Sequence, residues 1–282
     1  MKLRRTRLYV PGNNPHLVEN VGLYNADAVI LDLEDSVPIP QKFDARILVK
    51  YSLQHVDFGR SEKWVRINGI TTPYWEKDLR EILPYCEVIN LPKVESHEDM
   101  VIVDEKMREI ENEHGLEPRE VVPIIESVKG LINAGDIAKH PRVGALAWGG
   151  EDLTADLGIP RKKALILDHV RAQIVFAAKA NKKQALDTVY SNIRDEEGLF
   201  EYAQRARYMG FDGIGVIHPN QIEVVHRAFR PTDDEIEDAK KIIEAAEEAE
   251  KEGKGVISLN GRMIDPPVVE RARKILQFAE VD

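Results

Sequence analysis

The stretch A-D-A-V-I-L-D-L-E-D-S-V, residues 26–37, constrains the fold of this chain more than any other. Val29, Ile30, Leu31 and Leu33 make a short apolar run with β-branched residues, the pattern of a buried strand in a parallel sheet. Glu34 and Asp35 stand side by side directly after it, before Pro38 and Pro40 end the element. Two adjacent carboxylates at the exit of a buried strand are costly unless a metal, an arginine or water satisfies them. A pair of ordinary surface acids is the competing reading. Repetition decides between the two, because further apolar runs along the chain also end in residues able to bind a metal or an anion.

Strand patterns cover residues 3–10, the anchor run, 63–68, 88–94, 121–125, 143–148, 185–190 and 213–217. Helical patterns over 14–25, 41–55, 96–114, 128–139, 163–181 and 196–209 separate them, with another opening at Thr72-Pro73. About eight strand–helix units in roughly 230 residues predict the α/β class and a (β/α)8 barrel over residues 1–230, not an open doubly wound sheet. No G-x-G-x-x-G follows the first strand, so the usual dinucleotide signal is missing. Residues 231–282 differ in character. They hold an acidic amphipathic helix over 233–252, a turn at Gly253 and Gly255, the short strand V-I-S-L, the string N-G-R-M-I-D-P-P and a last helix over 268–278. This tail buries too little to be a full domain and is expected to be a small C-terminal helical extension.

A net charge of −10 argues against nucleic acid as the main partner, since phosphate binding needs clustered excess Lys and Arg. The single cysteine, Cys86, excludes a disulfide within the chain and fits a reducing compartment. No apolar run approaches a membrane span, and the N-terminus lacks the apolar core of a signal peptide; the expectation is a cytoplasmic protein with no membrane partner.

Barrel enzymes carry their chemistry at the C-terminal ends of the strands. Those ends supply Glu34 and Asp35, Arg66 and Asn68, Lys93, Glu126, Glu151 and Asp152, Tyr190 and His218. Hard oxygen ligands without Cys or clustered His suit Mg2+ or Mn2+ and argue against zinc. Glu126 and Asp152, at the ends of neighbouring strands, are the candidate metal ligands, and Glu34 and Asp35 could orient water on the metal. Arg66 offers a fixed cation for a carboxylate or a developing oxyanion. Structural alternatives stand beside each assignment. Glu126 and Asp152 could cap the helices that follow them, Arg66 could be a structural ion-pair partner, and His218 before Pro219 could be a turn residue. Lys93 could be a Schiff-base nucleophile, although neighbouring acids would hold it protonated.

In this order, R-R-T-R-L-Y-V-P-G, A-D-A-V-I-L-D-L-E-D-S-V, V-R-I-N, L-P-K-V-E, I-I-E-S, G-G-E-D-L-T-A-D-L-G, I-H-P-N-Q-I and N-G-R-M-I-D-P-P resemble the citrate lyase beta subunit and malyl-CoA lyase family over nearly the whole chain. The resemblance implies Mg2+ held by Glu126 and Asp152, a substrate-polarising Arg66, and support from Glu34 and Asp35 through water. It also implies a homo-oligomer, commonly a trimer, in which the G-x-M-I-D loop of one subunit covers a neighbour's barrel and Asp265 acts as acid/base in trans. Without the resemblance, Asp265 before Pro266 is equally a cap for the terminal helix. The implied reaction is cleavage or formation of a β-hydroxyacyl thioester such as citryl-, malyl- or citramalyl-CoA, giving acetyl-CoA and a 2-oxo acid. Arg5, Arg7 and Lys93 are candidates for substrate or CoA binding by charge and position. A class II pyruvate aldolase on free acids, and a citrate lyase beta chain working only with an acyl-carrier protein, are the competing functions.

Overall fold

The computed structural model describes residues 2–251, 257–259 and 262–279. Eight parallel strands close into a barrel in sequence order: β1 (Thr6–Pro11), β2 (Ala28–Asp32), β3 (Glu62–Arg66), β4 (Val88–Leu91), β5 (Glu120–Ile125), β6 (Ala145–Trp148), β7 (Gln184–Asp187) and β8 (Gly213–Val216). The helices between them are α1 (Pro15–Val18), α2 (Lys42–His55), α3 (Trp75–Ile82), α4 (His97–His114), α5 (Val128–Ala138), α6 (Gly150–Asp156), α7 (Leu167–Ala180) and α8 (Glu196–Met209), with α9 (Asn220–Phe229) after the last strand. The (β/α)8 architecture follows the expectation.

Strand periodicity builds the interior. Ala28, Ile30, Trp64, Val88, Val122, Ile124, Ala145, Ala147 and Leu186 form one buried cluster, with Tyr9 packed against it. Because successive side chains alternate between faces, the next inward position after Ile30 is Asp32, after Trp64 it is Arg66, and after Ile124 it is Glu126. At the other end the same alternation points Glu62 and Glu120 inward. There Arg4 donates to Glu62 Oε2 at 3.1 Å and Glu120 Oε2 at 3.0 Å, and its guanidinium lies 4.8 Å from the Trp64 ring centroid. Lys2 Nζ lies 3.2 Å from Glu62 Oε1, so two cations meet the two inward carboxylates at this mouth.

Several element ends depart from expectation for local reasons. The helix predicted over 14–25 is only α1 and a 3-10 turn, Val21–Tyr24, in a stretch poor in helix formers that ends at Asn25 with φ 56°. At Gly22 an added Cβ would lie 2.5 Å from the Asp57 carbonyl oxygen, so only glycine fits there. β4 stops at Leu91 because Pro92 has no N–H to give and Lys93 takes φ 56°. β7 stops at Asp187, whose own carboxylate accepts the Thr188 N–H at 2.9 Å.

The chain divides into two compact units, Met1–Ala228 and Phe229–Asp282. In the second, α10 (Asp233–Lys251) packs on α11 (Pro266–Ala279), and β9 (Ile257–Leu259) pairs antiparallel with β10 (Arg262–Ile264). The expected turn at Gly253 and Gly255, and Val256, Asn260 and Gly261, lie outside the described residues. No helix among the described residues is long and apolar enough to cross a membrane.

Arg5 shows what holds the base together. Its backbone N–H and Nε donate to Asp27 Oδ2 at 2.8 and 3.0 Å, and Nη2 donates to Oδ1 at 3.1 Å. Burial acts to raise the Asp27 carboxyl, but the Arg5 guanidinium outweighs it and holds the group below the usual range. Asp27→Ala strands a buried guanidinium and is expected to cost about 3–5 kcal/mol in urea unfolding. Replacing both partners by Met and Leu should cost markedly less, and equal losses would contradict this account.

Candidate active site

Inward parity brings the acids and one arginine together at the C-terminal mouth. Asp32 and Arg66 are register partners on adjacent strands. Arg66 Nε and Nη2 donate to Asp32 Oδ1 and Oδ2, both at 2.7 Å, a bidentate pair. The same carboxylate accepts the Glu34 N–H at 2.9 Å and the Ser36 N–H at 3.0 Å, winding the chain into a turn beyond the strand. Lys42 Nζ fixes that turn from outside, donating to the Leu33 and Glu34 carbonyls at 2.7 and 2.6 Å.

Around this pair the candidate residues fall as follows. Arg66 Nη1 donates to Asp35 at 3.3 Å and lies 3.1 Å from Glu34 Oε2 without hydrogen-bond alignment. Three of its five N–H groups are thereby used, and its guanidinium sits 5.3 Å from the Tyr9 ring centroid. Burial pulls the Arg66 pKa down, yet the Asp32 hydrogen bonds and charge raise it well above the usual value. Lys93 Nζ donates to Glu34 Oε1 at 2.7 Å. Burial opposes its charge, but Glu34 and Asp35 win and raise it, so Lys93 stays an ammonium and the Schiff-base alternative loses its nucleophile.

Glu126 is buried, and its Oε2 has no hydrogen-bond partner. Burial pushes its carboxyl up to about 8, with Glu34 and Asp152 acting in the same direction. The capping alternative falls away, since Ser127 caps α5 by accepting the Gly130 N–H at 3.1 Å. Gly149 makes room for the acid: a Cβ there would lie 2.7 Å from Glu126 Cγ and 2.8 Å from Oε1. Asp152 stands exposed in the first turn of α6, whose N-cap is Gly149 with no side-chain cap. A cavity of about 460 Å³ is lined by Arg7, Tyr9, Asp32, Arg66, Glu126 and Asp152, among others.

The sequence reading also named residues that do other work. Arg5 is corrected outright: it is spent on Asp27 at the opposite end of the strands and does not reach the cavity lining. Asn68 donates to Asp78 of α3 at 2.6 Å, Tyr190 donates to Asp195, the N-cap of α8, at 2.6 Å, and His218 Nδ1 accepts the Asn220 N–H at 3.2 Å, so each has a local structural partner. Asp265, in the second unit, accepts the Val268 N–H at 3.2 Å at the start of α11. Asp32 and Tyr9 were missed. Counting inward from Ile30 and from Arg7 by twos finds both, whereas attention to the adjacent pair Glu34-Asp35 hides Asp32.

Among the described residues no cluster of three or more His, Cys, Asp or Glu is arranged to hold a metal. Two carboxylates are nonetheless the usual protein share of a Mg2+ site, the rest being water and substrate oxygens. A buried acid with an orphan oxygen beside a second acid fits such a cation. With its folded pKa above the usual 4.5, Glu126 keeps a proton in the folded state that the unfolded chain has lost. Stability of the cation-free protein therefore falls as pH rises from about 4.5 to about 8. Glu126→Gln should flatten that fall and stabilise the cation-free protein at pH 8 by about 2 kcal/mol in urea unfolding. It should also weaken divalent-cation binding measured by calorimetry; identical pH profiles for parent and variant would contradict the assignment.

The model of one family, HpcH/HpaI aldolase/citrate lyase, matches residues 5–219. The chain is 41% identical to the citrate lyase subunit beta of Leuconostoc mesenteroides subsp. cremoris, covering 100% of this chain and 95% of the relative. It is 36% identical to the mitochondrial citramalyl-CoA lyase of Rattus norvegicus, covering 98% and 86%. Among solved structures it is similar to protein CitE from Mycobacterium tuberculosis in complex with magnesium, acetoacetate and coenzyme A. That match has a TM-score of 0.81, 32% identity, and coverage of 99% of this chain and 98% of the other. With the barrel, the motif order and these likenesses all in agreement, the chain belongs to the HpcH/HpaI aldolase/citrate lyase family.

Proposed function

We propose that this chain is a Mg2+-dependent carbon–carbon lyase that splits a β-hydroxyacyl thioester into acetyl thioester and a 2-oxo acid, or joins them. The observation that carries this reading is Glu126: a buried carboxyl with an unpartnered oxygen, beside Asp152, in the cavity that Arg66 also lines. Glu126 and Asp152 would hold Mg2+, which supplies Lewis-acid polarisation of the oxygens on the acid half of the substrate.

The chain's own groups do the rest. Cleavage removes the proton of the β-hydroxyl, breaks the bond between its carbon and the thioester α-carbon, and leaves an enolate that takes a proton to become the acetyl group. Arg66, held rigid by Asp32, offers its remaining N–H groups to the charge that grows on that enolate oxygen. Glu34, held by Lys93 Nζ at 2.7 Å and 3.1 Å from Arg66 Nη1, would with Asp35 orient water beside the two metal-binding acids. Asp265 is the proposed acid/base that takes the hydroxyl proton, delivered from a second copy of the chain; the motif N-G-R-M-I-D-P-P supports this assignment.

A second reading draws on the 41% identity to a protein named as a subunit, the citrate lyase beta chain of Leuconostoc. In it the chain works on an acyl-carrier thioester inside a larger assembly. Purified protein alone, assayed with citryl-CoA, malyl-CoA and citramalyl-CoA, separates the two, since only the first reading expects turnover without a partner.

Asp152→Ala and chelation by EDTA should each lower cleavage at least about 100-fold while leaving the circular dichroism spectrum unchanged. Full activity in EDTA would remove the metal from the proposal. Asp265→Asn should reduce kcat far more than it raises KM. Mixing that variant with Arg66→Ala should restore part of the activity if a site is completed by two copies, and absence of recovery would count against delivery in trans.

A further inference from the structure

Arg7, a candidate for substrate or CoA binding by its charge and position, has no part in the reaction described above. It projects inward from β1 beside its register partner Gly215, is 1% exposed, and lines the same cavity as Glu126 and Arg66. Gly215 keeps the neighbouring wall low: a Cβ there would lie 2.7 Å from Val189 Cγ1. The Arg7 side chain rises to the end of β7, where Nη2 donates to the Asp187 carbonyl at 2.6 Å. Its Nε and Nη1 are buried with no hydrogen-bond partner.

The carboxylate with the strongest pull on Arg7 is that of Asp187, and it is already spent. Its Oδ1 accepts Trp148 Nε1 at 2.7 Å, and its Oδ2 accepts Arg171 Nη2 and Nε at 2.6 and 3.0 Å. The Tyr9 hydroxyl, which also favours the Arg7 charge, donates to Asn90 at 3.2 Å. The other two arginines lining the cavity are engaged, Arg66 by Asp32 and Arg161 by Glu151 at 3.0 Å and the Val189 carbonyl at 2.7 Å. A guanidinium stays charged when buried, so an unpaired one is costly and must be met by an anion or offset elsewhere. Five rigid donors suit a carboxylate.

We propose that Arg7 recognises a second carboxylate on the acid half of the substrate. The chain would then prefer a 2-oxo acid with a distal carboxylate, such as oxaloacetate, over one ending in a methyl group, such as pyruvate. This rests on the lyase reading of the same cavity. Glu126, Asp152 and Arg66 serve the end of the molecule where the carbon–carbon bond breaks, an end common to all such acids. Arg7 meets what distinguishes them. A site built around an ionic hydrogen bond discriminates strongly, because the ligand lacking the group leaves the guanidinium buried and unmatched.

The test is a calorimetric titration of the full chain, with Mg2+ present, by freshly prepared oxaloacetate and by pyruvate. The parent should prefer oxaloacetate by at least about 30-fold. Arg7→Met should abolish most of that preference by weakening oxaloacetate, with pyruvate affinity moving less than about threefold. Arg7→Lys should fall between, since it keeps the charge and loses the planar fork. Equal affinity of the parent for both acids overturns the proposal, as does a parallel loss of both in Arg7→Met, which would mean that Arg7 grips the carboxylate they share. Failure of the parent to bind either acid overturns the lyase reading itself, a different result from either of those. Should Arg7→Met not fold, the parent's own preference and Arg7→Lys still decide. The ratio of citryl-CoA to citramalyl-CoA cleavage should shift in the same direction as the binding ratio.

Discussion

The Asp32–Arg66 pair is the interaction on which the active-site end of this barrel depends. Both groups face inward at the last step of adjacent strands, where little of either side chain reaches water. Bidentate geometry satisfies both oxygens of the acid and fixes the plane of the guanidinium. Because the same carboxylate also accepts two backbone N–H groups of the following turn, one side chain sets the position of Glu34, Asp35 and Arg66 together. Loss of either partner would leave a buried charge uncompensated, so the pair holds this end of the barrel together. Of the alternatives set out for Arg66, the ion pair is observed, and it leaves the guanidinium placed for the site-cation role proposed above.

The two mouths of the barrel solve the problem of inward-facing charge in opposite ways. At the N-terminal end Lys2 and Arg4 sit on Glu62 and Glu120, and Arg5 on Asp27, so three cations meet three carboxylates. At the C-terminal end cancellation is incomplete. Arg66 and Lys93 neutralise Asp32 and Glu34, while Glu126 is left with burial and two acid neighbours pushing its carboxyl up to about 8. A protein relieves such an acid by protonation or by a cation, and the choice depends on pH and on what is bound. Below Glu126 the excess changes sign at Arg7, whose donors lack an acid. The cavity therefore presents a cation-seeking mouth and an anion-seeking floor, a polarity that suits an acid bound by both ends.

Much of this was legible in the sequence, and for an identifiable reason. Parallel barrel strands are buried on both faces, so they appear as short apolar runs, and the residue after each run marks the mouth of the barrel. That rule located Arg66, Glu126, Asp152, Glu34 and Asp35, and the order of the motifs pointed to the family. It could not separate a cap from a ligand at Glu126, because both need an acid before a helix. The observed Ser127 cap removes the capping alternative, and the ligand role is the proposal made above. It also could not tell which end of a strand a charge serves when the charge precedes the apolar run, which is why Arg5 was misplaced.

What the sequence by itself determined is the barrel, its element order and the identity of the residues at its mouth, because these follow from period-two burial and from motifs local in the chain. What only the tertiary structure decided is how the charges pair. Asp32 finds Arg66, Asp27 takes Arg5 out of play, and Arg7 is left facing the cavity without an acid. Pairing depends on which side chains closure of the sheet brings within about 3 Å of each other, and residues 34 positions apart, like Asp32 and Arg66, carry no local trace of that meeting.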